Sequence, residues 1–262
     1  MKKITRATYA LTLTEALRLL RKETSVLRNL EFIALLGSVK IKEHVPGYSD
    51  LDLLLILKSD ASGALDEKLL LELQKICADL SKTYRINISF LTHTEKELVE
   101  YVDYEYLKHY SSGKLLYGKP ELFSKLFKRI ISRKKSYGKK LVREMFKSIV
   151  HARFNLIRKF VSLNKFNTRN YRDGLLKLFI DNLFEIADWR LIADEIWCVS
   201  KKEIVSRIFS ISKSPHREIL ESAYKYRRDW NHLVVSSKQA RSFFISGIKF
   251  INDCVRDLER RT

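Results

Sequence analysis

Hydrophobic positions along this chain change character near residue 118. Before it, short apolar runs alternate with amphipathic stretches. After it, helical spacing continues with few breaks. Leu13, Ala16, Leu17, Leu20, Leu27 and Leu30 recur at helical intervals and predict a helix within 12–30. Phe32-Ile33-Ala34-Leu35-Leu36 is a continuous apolar run halted by Gly37-Ser38, the pattern of a buried strand. A polar stretch with a Pro46-Gly47 turn signal follows, and Asp50 to Leu57 reads as a second strand. Residues 66–82 set Leu69, Leu70, Leu73, Ile76 and Leu80 on one side of an amphipathic helix. Arg85 to Thr92 alternates Ile86, Ile88 and Phe90 with Asn87 and Ser89, as a half-exposed strand does. A polar helical segment is predicted from about 94 to 112, and Leu115-Leu116-Tyr117-Gly118 closes this half.

From Pro120 onward the pattern predicts helices over about 121–135, 139–163, 169–196, 200–211, 215–233 and 236–259, with Thr168, Ser200, Ser214 and Ser236 at N-cap positions. Eight Gly and three Pro in 262 residues are too few for a loop-rich all-β fold. The expected architecture is α+β: a small mixed-sheet domain over 1–118, then an all-α helical bundle over 119–262.

Charge sharpens that division. Residues 1–118 hold 17 Lys+Arg against 16 Asp+Glu, whereas residues 119–262 hold 33 against 15. Nearly all of the chain's net +19 therefore sits in the helical half. A domain that basic attracts polyanions over long range, with nucleic acid the first candidate and an anionic membrane surface the second. The longest apolar stretch, Leu53 to Leu57, is far too short to span a bilayer. No leader-like apolar segment follows Met1-Lys2-Lys3. Cys77, Cys198 and Cys254 match no zinc or disulfide spacing and read as buried thiols of a reducing cytoplasm.

The candidate chemistry lies in Gly37-Ser38, eleven intervening residues, and Asp50-Leu51-Asp52. Carboxylates at i and i+2 of a strand point to one face. Bringing two like charges together in an apolar strand is costly unless a cation neutralises them. No Lys or Arg lies within the strand, so a divalent ion is the natural neutraliser. Magnesium suits the position, because it binds through one or two carboxylates and completes its shell with water and phosphate oxygens. The Gly-Ser turn upstream offers close backbone approach and a hydroxyl for a phosphate.

These residues resemble the DNA polymerase beta-like nucleotidyltransferase superfamily, in particular its minimal nucleotidyltransferase group. The resemblance rests on Leu35-Leu36-Gly37-Ser38 followed by Ser49-Asp50-Leu51-Asp52-Leu53-Leu54 and covers about residues 12–118. It implies transfer of a nucleoside monophosphate from a nucleoside triphosphate to an acceptor. Asp50 and Asp52 would hold Mg2+ or Mn2+ and be the catalytic acids; Gly37 and Ser38 would bind the triphosphate. The family carries a third acid on the next core strand, where this chain has Asn87. An amide can ligate metal but cannot act as a general base. Glu95 or Glu97 could take the proton instead, or the protein could bind nucleotide without turning it over.

The basic half adds two candidates. Lys128-Arg129, Arg133-Lys134-Lys135 and Lys139-Lys140, with Phe127 and Tyr137 nearby, could contact backbone phosphates and stack bases. Arg227 and His232 are spaced as in the ribonuclease motif of HEPN helical domains, although Arg228 stands where that motif has Asn, Asp or His. Three functions follow as expectations: a metal-dependent nucleotidyltransferase acting on RNA, a degenerate relative that binds nucleic acid or protein, and a HEPN-like ribonuclease.

Overall fold

The computed structural model describes residues 4–58, 66–100, 113–134, 138–161, 171–211 and 217–260. The chain divides into two compact units, Met1–Ser136 and Tyr137–Thr262.

The first unit is built on one strand. β2 (Leu51–Leu57) carries six aliphatic side chains, all at most 1% exposed. A strand buried on both faces belongs in the middle of a covered sheet. β2 pairs antiparallel with β1 (Leu30–Leu35) and parallel with β3 (Ile88–Thr94). β4 (Lys114–Gly118) adds to the other side of β1, giving the order β3-β2-β1-β4. The mixed sheet is as expected. β4 was not foreseen, because three apolar residues beside a polar segment carry no strand period of their own; only pairing with β1 makes them a strand.

The parallel β2–β3 pair needs a crossover, supplied by α4 (Glu67–Tyr84). Asp66 caps α4 by accepting from the Lys68 N–H at 2.9 Å. α1 (Arg6–Lys22) and α4 cover one sheet face, where Tyr9, Ala16, Leu20, Leu69, Leu73 and Leu80 meet Ile33, Leu51, Leu53 and Leu55. The predicted 12–30 helix is split. Glu23 is extended, and α2 (Thr24–Asn29) restarts beyond it. In one unbroken helix Val26 would face away from Leu20; the break resets the phase, so that both enter the core. The other sheet face receives the aromatic side of α6 (Pro120–Lys134), with Phe123 edge-on to Phe32 at 5.5 Å. A single-turn α3 (Gly37–Lys40) follows β1, and a short α5 (Glu95–Glu100) follows β3. The predicted helical segment from 101 to 112 lies outside the described residues.

The second unit is helical, as expected: α7 (Gly138–Val161), a π-turn (Tyr171–Leu176) running into α8 (Lys177–Ile192), α9 (Lys201–Ile211), α10 (Arg217–Arg228) and α11 (Ser237–Glu259). α8 is buried nearly all round, so the bundle is organised about it. The one buried cation of α8, Arg190, is satisfied by ion pairs to Asp194 at 2.7 Å and to Asp257 of α11. Beside it burial pushes the Cys254 thiol up to about 12. Cys198 is also buried and Cys77 half-buried; none of the three forms a disulfide. Ser236 caps α11 with a full capping box, and the Ser200 hydroxyl accepts from the Glu203 N–H at 3.0 Å; Thr168 and Ser214 lie outside the described residues.

α11 approaches α8 through Gly247. A Cβ there would lie 2.5 Å from the Phe179 ring, which also stacks on Phe244 at 4.1 Å between centroids. Gly247→Ala should therefore destabilise the chain by about 1–3 kcal/mol through overpacking. Gly174→Ala, whose Cβ would meet nothing within 4 Å, should be neutral or stabilise by up to about 1 kcal/mol. Thermal unfolding of the two variants checks the contrast.

Candidate nucleotide and metal site

The β1–β2 ladder brings the two halves of the motif together. Leu35 pairs with Leu53, and the next residue, Leu36, donates its N–H to the Asp52 carbonyl at 3.0 Å. The chain leaving β1 must turn there, beside the first residues of β2. Gly37 makes the turn at φ +64° and begins α3. A Cβ at this glycine would lie 2.6 Å from Asp52 Oδ2. Glycine is thus required twice: by the left-handed backbone and by the carboxylate packed against its Cα. Ser38 follows in the first turn of α3, where backbone N–H groups have no intrahelical acceptor.

Asp52 shares a sheet face with Leu54 and Ile56 by strand alternation, the face opposite α1 and α4. Asp50 stands one residue before β2 rather than inside it; both acids are half-buried. The loop between the motif halves is pinned rather than loose. The Glu43 N–H donates to the Ser38 carbonyl at 2.9 Å. The Ser49 hydroxyl accepts from the Val45 N–H at 2.9 Å, and the Ser49 N–H donates back to the Val45 carbonyl at 2.9 Å.

The residue that fixes this loop was missed in the sequence. Tyr9 of α1, 1% exposed, donates its hydroxyl to the Ser49 carbonyl at 2.6 Å, immediately before Asp50. Its ring lies against His44 at 4.8 Å. The signal was present: Tyr9, Thr12, Ala16 and Leu20 continue the helical spacing back beyond residue 12, and all four are buried.

β3 lies on the other side of the acids. The Leu51 N–H donates to the Asn87 carbonyl at 2.9 Å, and Asp52 is in register with Ser89. The neighbours of the two aspartates on this side are therefore the exposed amide of Asn87, which stands one residue before β3 although the expected strand spanned 85–92, and the half-buried hydroxyl of Ser89. Glu95 and Glu97 are elsewhere. They follow Thr94, which pairs with Leu57, about 17 Å along β2 from Asp52. Each is also engaged: Glu97 accepts from the Thr94 N–H at 2.8 Å, and Glu95 pairs with Arg129 at 3.3 Å. His93, level with Ile56, is about 13 Å from Asp52 along the sheet. Burial holds it below the ordinary imidazole range, with Glu97 pulling the other way.

Among the described residues no group of three His, Cys, Asp or Glu side chains is placed to hold a metal ion. Two carboxylates with a hydroxyl and an amide beside them do not make a closed protein cage. They do fit an ion that takes part of its shell from substrate phosphates and water, as Mg2+ does.

The other sequence candidates are scattered. Phe127 is buried, 4.1 Å from Phe123, and cannot stack a base as expected, because the apolar side of α6 is needed against the sheet. Lys128 and Arg129 are exposed; Tyr137 and the side chains of Arg133, Lys134, Lys135, Lys139 and Lys140 lie outside the described residues. Arg227 is buried at the end of α10, whereas His232 is exposed in the following 3₁₀ turn.

The sequence profile of the family described as "Nucleotidyltransferase domain" matches residues 17–110, the segment from α1 through β3 and α5 that carries both motif halves. The resemblance read from Gly37-Ser38 and Asp50-Leu51-Asp52 is thus met independently over that segment, and the family's activity is nucleotidyl transfer. No curated protein sequence matches the chain. Among solved structures, a chain from a crystal structure of a toxin-antitoxin with AMP-PNP is similar, with 16% identity and a TM-score of 0.37 over 48% of this chain and 90% of its own. Among the described residues no helix is long and apolar enough to cross a membrane.

Two substitutions separate the roles of glycine and tyrosine. Gly37→Ala should leave the circular dichroism spectrum unchanged but weaken Mg–ATP binding at least ~10-fold, the equivalent of about 1.4 kcal/mol, because the Asp52 carboxylate must move. Tyr9→Phe should cost about 1 kcal/mol of stability through the lost buried hydrogen bond, with a smaller loss of nucleotide affinity. Calorimetric titration and urea unfolding read the two effects.

Proposed function

We propose that this chain is a metal-dependent nucleotidyltransferase that moves a nucleoside monophosphate from a nucleoside triphosphate to an RNA acceptor. The observation that carries the reading is the apposition of Gly37 and Asp52: residues fifteen apart in sequence meet where the glycine excludes any side chain between backbone and carboxylate. The left-handed glycine backbone thus lies directly against one half-buried acid, Asp52, with the second, Asp50, two residues before it.

In this reading Asp50 and Asp52 hold Mg2+ or Mn2+ together with the triphosphate. The ion, when bound, supplies the positive charge that stabilises the attacking and leaving oxygens. The backbone of Gly37 and Ser38 orients the phosphate chain. An acceptor hydroxyl forms a bond to the α-phosphorus, the bond from that phosphorus to the bridging oxygen breaks, and pyrophosphate leaves with the electron pair. The hydroxyl proton passes to solvent, since neither Asn87 nor Ser89 is an effective base at neutral pH. The basic helical half, proposed as the domain over 119–262, attracts the acceptor by its charge. The isolated cysteines suit a reducing, cytoplasmic setting.

Asn87 and Ser89 also favour a second reading, a nucleotide-binding relative with little turnover. The two readings differ in one measurement. Purified protein incubated with labelled nucleoside triphosphates, Mg2+ and RNA should transfer label; Asp50→Ala and Asp52→Ala should each reduce transfer by at least ~10^3-fold, and chelation of the metal should abolish it. If a third acid is what the site lacks, Ser89→Asp, beside Asp52, should raise the rate. Nucleotide binding without transfer in wild type would decide for the second reading. The buried Arg227 does not favour the ribonuclease alternative, which would appear as metal-independent RNA cleavage lost in His232→Ala.

A further inference from the structure

We infer that the exposed face of α7 is a binding surface for single-stranded RNA, with Phe154 as its base-stacking platform; this rests on the RNA-acceptor reading above and assigns it a surface.

α7 holds seven Lys or Arg and a single acid, Glu144. Lys147, His151, Phe154 and Arg158 are all exposed. At 3.6 residues per turn they fall within about 60° of one another around the helix axis, in a stripe about 17 Å long. Ile149 and Leu156, on the opposite side, are 1% and 2% exposed and belong to the bundle core. Arg143 and Lys140 continue the same spacing towards the N-terminus in sequence.

Phe154 is the only aromatic among the exposed large hydrophobic side chains of the described residues, and it is 63% exposed. Its ring is held from behind by the half-buried Arg153, whose guanidinium carbon lies 5.5 Å from the ring centroid. An exposed apolar side chain taken singly means little. One ring set between a lysine and an arginine on a straight stripe is different, because cations at this spacing can follow phosphates while the ring face takes a base. The bases of a duplex are already stacked, so such a ring selects unpaired strands. A membrane surface fits less well: an interfacial helix needs a broad apolar face for lipid, and the apolar side of α7 is buried in its own bundle.

The test uses the full chain and a labelled 20-nucleotide oligouridylate, read by fluorescence anisotropy across a salt series without nucleoside triphosphate. Wild type should bind, with affinity falling as salt rises. Phe154→Ala and Phe154→Leu should each weaken binding about 5- to 100-fold with the salt slope unchanged; Phe154→Tyr should restore it. Lys147→Ala and Arg158→Ala should each reduce the slope by about 0.7. Because all of these side chains are exposed, the variants should keep wild-type unfolding temperatures. The proposal is overturned if wild type does not bind the oligonucleotide, if Phe154→Leu binds as wild type does, if duplex RNA competes equally, or if only phosphatidylserine vesicles are bound. Asp50→Ala keeps the nucleotide site out of the comparison. If it and wild type bind RNA alike but neither supports transfer, the transferase reading fails while this surface stands. Transfer to RNA that survives unchanged in Phe154→Leu removes this surface alone.

Discussion

The antiparallel pairing of β1 with β2 is the constraint from which the first unit follows. It makes β2 central, so that its leucines and isoleucine can be buried on both faces. It also carries the last β1–β2 hydrogen bond one step past the strand, from the Leu36 N–H to the Asp52 carbonyl. Immediately beyond that bond the chain makes its left-handed turn at Gly37, against the Asp52 side chain. Strand burial and site geometry are consequences of one register. A one-residue slip would point Asp52 into the α1–α4 core and Leu51 or Leu53 to the opposite sheet face.

The site is supported from behind by α1 rather than by the sheet alone. Tyr9 reaches the carbonyl of Ser49 with its hydroxyl, and the Ser49 side chain closes the loop onto Val45. The ten-odd residues between the motif halves are therefore held at both ends. The two carboxylates therefore sit at a strand start that is pinned on both sides, as the proposed triphosphate site requires. What the arrangement lacks is equally physical: the segment beside the acids presents Asn87 and Ser89, and the acids that follow β3 are committed to a helix cap and an ion pair at its far end.

In the second unit charge and packing are segregated by helix face. α8 takes the core, and its buried Arg190 needs two aspartates to be tolerated there. Among the described residues, Lys147 and Arg158 of α7 are exposed instead. Phe127, on the inward face of α6, is unavailable to solvent; Phe154, on the outward face of α7, is not. Both stand in basic stretches, and only burial distinguishes them.

Local spacing was sufficient to read β1, β2, β3 and α4, the helical character of the described second half, the charge division, and the Gly37-Ser38 and Asp50-Leu51-Asp52 motif, because each is written within a turn or two of chain. The interruption at Glu23, the strand Lys114–Gly118 and the role of Tyr9 depended on partners distant in sequence, and no periodicity reports a partner. The same holds for the residues beside the acids. Asn87 could be read as standing in the place of a third acid, but that Ser89 is the register partner of Asp52, and that Glu95 and Glu97 lie a strand-length away, was settled only when β3 paired with β2. Sequence determined which chemical groups the chain carries; the pairing of strands decided which of them lie side by side, because distance in a sheet is set by register and not by separation along the chain.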